Sequence, residues 1–378
     1  MNICYIYLGN LAADSAQSIH VREVVKNLAR KSNVFLLIEE GNIKNDRIQV
    51  HHMRIPKIGG FARMLAVLYS FFALKKILNE NKIDVIYCRL YHSFSALLWS
   101  KWSKIPYVLE VNGILSEETR IRKQNALYTF LVQVYEHFLF QNSEVFVCVT
   151  EKLQKYILDK YRKKKAYWVP NGADIKLFRP IENAKKFLGL DETFYHIGFI
   201  GSFAPWHGLD ILVKSAPEIL RNVPNAKFLL VGDIGRTKSL MKMIRDFNLE
   251  EAFLLVGKAP YEEIPNYINA CDICVAPFVR ERNEDIGLSP LKLYEYMACE
   301  KPVVASRIPG LETVKEMNAG ILVEPENLRE LSDAIVSLLK SKELRGEMGK
   351  NGRRYVVENH SWENISDKIE EILARVKE

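Results

Sequence analysis

Three stretches of this chain combine small residues, polar groups and helix-start signals in a way that suits phosphate and hydroxyl chemistry. The richest is Gly287-Leu288-Ser289-Pro290-Leu291-Lys292-Leu293-Tyr294-Glu295-Tyr296-Met297-Ala298. Ser289 is expected as the N-cap of a helix and Pro290 as its first residue, where the missing N–H is not needed. A helix start presents unpaired N–H groups and a partial positive charge, so it can hold a phosphate. Lys292 puts a full positive charge in the first turn, against the helix dipole, which makes more sense if an anion is bound. Glu295 lies on the same face one turn later, placed to accept hydrogen bonds from ribose hydroxyls. An ordinary capped surface helix with an exposed Lys–Glu pair fits the same residues, and the stretch alone leaves both readings open.

The second stretch, Gly198-Phe-Ile-Gly201-Ser202-Phe-Ala-Pro-Trp206-His207-Gly208, reads as a strand entering a small-residue turn before a helix near Leu209. Gly201 and Gly208 allow close backbone approach to a ligand, and Ser202 or His207 are in place to touch phosphate. A lone histidine at a helix start, such as His207, is more often structural. The third is the turn Gly9-Asn10 to Ser18, followed by His20 on a helix. Glu110, Asn112 and Gly113 form another polar strand end. Glu110 is flanked by apolar residues, and strand ends of this kind line ligand crevices in parallel sheets. There is no Gly-x-Gly-x-x-Gly fingerprint and no Gly-Lys-Ser/Thr loop, which argues against a Rossmann dehydrogenase.

The elements that must position these residues alternate as βα units, the pattern of parallel sheets. Strands are expected at Ile3–Leu8, Val34–Ile38, Gln49–Met53, Val85–Cys88, Tyr107–Val111 and Val145–Val149. The pattern restarts at His196–Gly201, Lys227–Val231, Phe253–Val256, Ile273–Pro277, Val303–Ala305 and Ile321–Val323. Helices are expected at His20–Arg30, Phe61–Asn79, Leu209–Leu220, Leu291–Ala298 and Trp362–Lys377, with Pro217 kinking or dividing the third. The turn-rich Val169–Asp174 reads as a linker. At 378 residues, 48% apolar and 26% charged, the chain is long enough for two doubly wound α/β domains.

Nothing at the N-terminus reads as a signal peptide, and the longest apolar run, Met64–Leu74, is too short to span a bilayer. The expected setting is cytoplasmic and reducing, with the six cysteines as small hydrophobes and Cys271-x-x-Cys274 as strand entry rather than a redox pair. A net charge of +7 is modest, a nucleic-acid reading would need it clustered on one face, and no nucleic-acid partner is expected. The apolar Phe61–Lys76 segment, with Arg63, Lys75 and Lys76, and the basic run Lys160–Lys165 fit a core helix and a solvated loop. They also fit contact with an anionic membrane surface.

Taken together and in this order, several segments resemble glycosyltransferase family 4. Ser289 to Ala305 is similar to that family's donor-binding helix and following strand, with Glu295 on the second glutamate of its Glu-seven-residues-Glu signature. Val169-Pro-Asn-Gly-Ala-Asp174 through Phe178-Arg-Pro180 resembles its interdomain segment. Val231-Gly-Asp233 and Val256-Gly-Lys258 look like its nucleotide-facing turns, and His360-Ser-Trp362 its returning tail. The resemblance implies a GT-B fold: two Rossmann-like domains facing across a cleft, with a C-terminal helix crossing back to the first. Residues 1–170 with 362–378 would take the acceptor and residues 171–361 the nucleotide-sugar donor, with closure about residues 170–180.

It further implies retaining transfer of a sugar from a UDP- or GDP-sugar to a hydroxyl of a glycan or lipid-linked glycan precursor, with no cofactor and no obligatory metal. Donor contacts would come from Gly201, Ser202, Trp206, His207, Gly208, Arg280, Leu288, Ser289, Pro290, Lys292 and Glu295, with Gly9 and Asn10 in the N-terminal loop. His20, Glu110 and Asn112 would serve the acceptor and sugar, Glu110 orienting or deprotonating the acceptor. The chain departs from the family at Gly287, where the first signature glutamate falls. Ser202 and His207 stand where its diphosphate-holding Arg and Lys fall, and Asn112 where a histidine falls. Lys292, with Arg280 or Arg282, is then expected to supply the diphosphate charge. A nucleotide-sugar epimerase and a non-catalytic nucleotide-sugar-binding subunit are the alternative readings.

Overall fold

The computed structural model describes residues 1–53, 62–90, 93–121, 124–233, 238–281 and 283–377, with backbone only over 62–67. The chain forms two compact units, Met1–Asn171 with Trp362–Glu378, and Gly172–Ser361. The first holds seven strands: β1 (Asn2–Asn10), β2 (Asn33–Glu40), β3 (Ile48–His52), β4 (Val85–Arg89), β5 (Tyr107–Val111), β6 (Val145–Cys148) and β7 (Lys165–Trp168). They lie in the order β3-β2-β1-β4-β5-β6-β7, and every pairing is parallel. The second holds β8 (Tyr195–Ile200), β9 (Ala226–Val231), β10 (Phe253–Gly257), β11 (Ile273–Ala276), β12 (Val303–Ser306) and β13 (Gly320–Val323). Their order is β10-β9-β8-β11-β12-β13, again all parallel.

Helices on both faces explain why the strands read as unbroken apolar runs: every residue of β4, β5, β6, β11 and β12 is buried. In both sheets the strand order reverses beside the first strand, between β1 and β4 and between β8 and β11. A crevice opens beyond the carboxyl ends of such a pair. Arg89 ends β4 in register with Glu110, the penultimate residue of β5, and Gly201 leaves β8.

Several expectations need correction. The Leu209–Asn222 helix is not divided by Pro217, which lies inside it. Proline removes one backbone hydrogen bond, but Leu212, Val213, Ala216 and Ile219 bury one continuous face around it, and that packing holds the helix. Gly9 belongs to β1, which runs on to Asn10, rather than to a turn. The donor-type helix begins at Leu291 after Pro290, with no side-chain cap. Ser289 Oγ instead lies 3.2 Å from the Tyr294 hydroxyl. Phe61, where the second helix was expected to start, lies outside the described residues; the helix is described over Ala62–Glu80.

The Trp362–Lys377 helix belongs to the first unit. It buries Ile365, Ile369 and Leu373. Lys31 Nζ stands 2.8 Å from Asp367, and Ser32 Oγ donates to Glu370 at 2.6 Å. All six cysteines are buried and free. Cys271 Sγ donates to the Tyr267 carbonyl at 3.1 Å, and a Cβ on Gly198 would stand 2.3 Å from that sulfur. The pair is therefore packing. No helix among the described residues is long and apolar enough to cross a membrane.

Candidate active site

In the second unit the Leu291–Ala298 helix is buried along its whole length, which removes the exposed-surface reading of its Lys–Glu pair. Tyr296 fixes it to the sheet: its hydroxyl accepts from the Ile200 N–H at 2.8 Å and donates to the Ile200 carbonyl at 2.9 Å. That anchoring sets the first turn of the helix against the turn leaving β8. Gly201 has φ +136, and a Cβ there would sit 2.9 Å from both Cε and Nζ of Lys292. The backbone conformation there favours glycine, and a Cβ would displace the end of the Lys292 side chain.

Lys292 is the decisive residue. Its ammonium is buried, 3.9 Å from the centroid of the Phe199 ring, and has no hydrogen-bond partner among the described residues. Burial pushes its pKa down from 10.5 to about 7, against the opposing field of Glu295. A buried cation without a counter-ion is costly unless something anionic completes it. One turn on, Glu295 accepts from the Tyr261 hydroxyl at 3.0 Å. Burial raises its pKa to about 7, opposed by Tyr261 and Lys292.

The remaining donor-side residues frame this pair. His207 Nδ1 bonds to the Ser202 carbonyl, and its ring packs edge-on to Phe278 at 5.4 Å. Gly208 has φ +69, and a Cβ there would lie 1.8 Å from the Pro277 carbonyl oxygen. This close approach joins the turn to the end of β11. Asn283, buried, donates to the carbonyls of Trp206 at 3.0 Å and Val279 at 2.8 Å, pinning the same turn from behind. Leu288 N–H bonds to the Pro309 carbonyl at 2.8 Å. Gly310 is so close that a Cβ would lie 2.1 Å from the Leu288 oxygen.

Arg280, expected as a spare diphosphate charge, is paired with two carboxylates in this structure. Its guanidinium is exposed and tied to Glu284 and Glu324, at 3.3 and 3.0 Å. Arg282 lies outside the described residues. Asn283, Phe199, Tyr261 and Tyr296 were missed in the sequence, because nothing in their spacing distinguishes a side chain that supports a site from ordinary core.

In the first unit the predicted residues converge on a buried ionic knot. His20 Nε2 stands 2.9 Å from Glu110 Oε1, and His20 Nδ1 stands 2.7 Å from Asn171 Oδ1. Arg89 Nη1 is 3.4 Å from the same Glu110 oxygen. Tyr5 donates its hydroxyl to Glu110 Oε2 at 3.2 Å. Burial pushes the Glu110 carboxyl up, but the charges of His20 and Arg89 and hydrogen bonds from His20 and Asn112 outweigh it. The net result is well below the usual carboxylate range. So stabilised a carboxylate is a poor proton acceptor. Of the two roles expected for Glu110, these contacts favour the orienting one, with Glu110 holding His20 in place.

Asn10 sits apart from this knot in its bonding: its amide donates to Glu40 at 2.9 Å, and its Oδ1 accepts from the Ala12 N–H at 2.7 Å. A Cβ on Gly9 would stand 2.7 Å from Cζ of the Tyr7 ring. The Ala16–Leu28 helix that carries His20 is capped by Ser15, which accepts from Ser18 N–H at 3.1 Å.

Two parallel-sheet α/β domains, each with polar residues beyond the strand ends where the order reverses, are the architecture of GT-B glycosyltransferases. The "Glycosyl transferases group 1" family model matches residues 180–355, and "Glycosyltransferase Family 4" matches residues 17–177. An uncharacterized glycosyltransferase of Methanocaldococcus jannaschii is 27% identical over 96% of this chain and 93% of its own. A Corynebacterium glutamicum protein named GDP-mannose-dependent monoacylated alpha-(1-6)-phosphatidylinositol monomannoside mannosyltransferase is 29% identical. That match covers 54% of this chain and 55% of the relative. The crystal structure of sucrose-phosphate synthase from Thermosynechococcus elongatus superposes with TM-score 0.85 at 20% identity, covering 100% of this chain and 99% of that one. The chain belongs to the family 4 type glycosyltransferases and is a transferase enzyme.

Proposed function

We propose that this enzyme transfers a sugar, with retention at the anomeric carbon, from a nucleotide diphosphate sugar to a hydroxyl of a glycan or lipid-linked glycan precursor. The observation that carries the donor half is Lys292: a buried ammonium with no partner among the described residues, at the start of a helix and against a glycine that clears space beside it. Diphosphate supplies the missing counter-charge, and the helix-start amides add to it. As the bond to the anomeric carbon breaks, negative charge grows on the leaving diphosphate. A preorganised cation in a dry site stabilises that charge. Because the protein itself provides the cation, we propose that no metal is required. Glu295, held by Tyr261, anchors the ribose hydroxyls.

The first domain takes the acceptor in this reading, with His20 held by Glu110 and Asn171, and Asn112 bonded to Glu110. The GDP-mannose dependence of the corynebacterial relative and its phosphatidylinositol-mannoside acceptor favour a GDP-sugar and a lipid-linked acceptor here. Surface polysaccharide or glycoconjugate synthesis at the cytoplasmic face of a membrane fits that chemistry.

A thermal-shift screen of the purified protein against UDP, GDP, ADP and their sugars, with and without EDTA, tests the donor site. A ligand well above its dissociation constant should stabilise by about 2–4 kcal/mol. The expected result is a shift with one nucleotide diphosphate, unchanged by EDTA and lost in Glu295→Ala. A shift that needs added Mg²⁺ would overturn metal independence, and no shift with any nucleotide would overturn the donor reading. Proton NMR of the newly formed anomeric centre decides retention.

A further inference from the structure

Among the described residues of the first unit, the helices Ala62–Glu80, Phe94–Ser103 and Ala126–Asn142 carry exposed apolar side chains. The Ala126–Asn142 helix has one acidic residue, Glu136, and that one is buried and bonded to Ser116 N–H and Oγ, both at 3.2 Å. Leu127, Leu131, Val134 and Phe138 recur on one face at helical spacing, yet are 41–65% exposed. A soluble helix normally turns such a stripe inward. Here only Glu136, Leu139 and Phe140 face the core.

The stripe continues across the neighbouring helices. Phe94 packs on Phe138, with ring centroids 5.8 Å apart. Two turns further along that helix, Trp102 is 73% exposed and stacks on Trp99 at 5.3 Å. Trp99 packs on Phe71 at 4.9 Å, and Phe72 beside it is also exposed. An exposed patch of this kind marks an interaction site.

The rim of the patch says what covers it. Lys101 donates to Asn142 Oδ1 at 2.6 Å and Lys164 to the Gln141 carbonyl at 2.8 Å. The basic run Lys160–Lys165 is thereby fastened to the end of the apolar helix, where Lys101 also bonds. Glu144 is the carboxylate beside Lys164. A second copy of the chain on a twofold axis would bring like-charged rims together. Phosphate headgroups neutralise such a rim, while tryptophan and tyrosine settle at the headgroup level.

We infer that the Phe94–Ser103 and Ala126–Asn142 helices form a docking face for an anionic lipid bilayer, with Leu127, Leu131 and Trp102 entering the acyl boundary and Lys101 and Lys164 meeting the headgroups. The face lies on the membrane rather than spanning it, because no described helix is long and apolar enough to cross. The inference does not depend on the donor reading, since lipid binding is measured without nucleotide.

The test is flotation of the full chain with vesicles of phosphatidylcholine alone and of equal phosphatidylcholine and phosphatidylglycerol. Wild type should bind the mixed vesicles about tenfold more tightly or better. Leu127→Ser with Leu131→Ser and Val134→Ser should lower binding to both by about tenfold. Lys101→Glu with Lys164→Glu should remove the preference for phosphatidylglycerol. Circular dichroism checks that both variants keep the fold. No vesicle binding by wild type, or unchanged binding by either variant, overturns the inference. So does a dimer in sedimentation velocity that the triple serine variant dissociates, which would make the face a self-association surface. Vesicle binding without any nucleotide thermal shift would count against the donor site alone.

Discussion

Lys292 and Glu295 are each pushed toward neutrality by burial, from opposite directions. For Lys292 the folded value near 7 lies below the ordinary 10.5, so burying the ammonium costs stability fully below about pH 7, and the cost fades as pH rises toward 10.5. Lys292→Met removes it. We expect this variant to be more stable than wild type without ligand below pH 7, by on the order of 1–3 kcal/mol, with a higher melting temperature, and to lose the nucleotide-induced shift. Scanning calorimetry with and without nucleotide checks both; a variant that is less stable and still binds would refute the assignment. In wild type, nucleotide affinity should fall as pH rises through about 7, because only the ammonium attracts diphosphate. Glu110 behaves in the opposite sense. Its carboxyl is held below the ordinary 4.5, so its stabilising contribution is present above that pH and is lost as pH falls below it. Glu110→Gln leaves the buried Arg89 without a charge partner. It should cost about 3–5 kcal/mol at neutral pH, lower turnover, and leave the nucleotide shift intact in chains that fold.

At the scale of elements, the site depends on close backbone approaches that only glycine permits. Gly208→Ala would drive a Cβ into the Pro277 carbonyl oxygen, at 1.8 Å, from a left-handed backbone. The β8 turn must then move away from β11, so we expect a loss of about 2–4 kcal/mol. Nucleotide binding should weaken with it, as measured by denaturant unfolding and thermal shift on the same protein. An alanine variant of wild-type stability and affinity would show that this turn is not fixed as the structure has it. These approaches were half legible in the sequence. Gly201 and Gly208 stood out as small residues after a strand, and the strands themselves were plain from their apolar runs. What each glycine clears, the Lys292 side chain in one case and a carbonyl in the other, depends on residues 91 and 69 positions away in the chain.

For the whole molecule, the first unit is discontinuous: its sheet is completed by the first 171 residues, and its last helix arrives from residue 362. Ile365, Ile369, Ile372 and Leu373 are buried there, and Lys377 pairs with Asp84 at 3.1 Å. At about 1.5 kcal/mol or more for each buried apolar side chain, deleting residues 362–378 should remove roughly 6 kcal/mol from the first unit. The second unit, continuous from Gly172 to Ser361, should be left nearly unchanged. Calorimetry should show one early transition and one unshifted transition; a uniform fall of both would contradict the division into two units.

The sequence by itself determined the parallel α/β class, the two βα series, the family 4 resemblance and the helix start that carries Lys292 and Glu295. These are local matters: apolar runs too continuous for a sheet with one wet face, and a Ser-Pro-Leu-Lys stretch before a helical run. The tertiary structure decided protonation and exposure. A surface Lys–Glu pair and a buried one have the same sequence, and only the tyrosine that pins the helix to β8 places it in the interior. Glu110 likewise reads as a possible base until Arg89 and His20 close on it from other elements. The Ala126–Asn142 helix was not singled out in the sequence, and only the packing of its neighbours reveals that its apolar face is left outside.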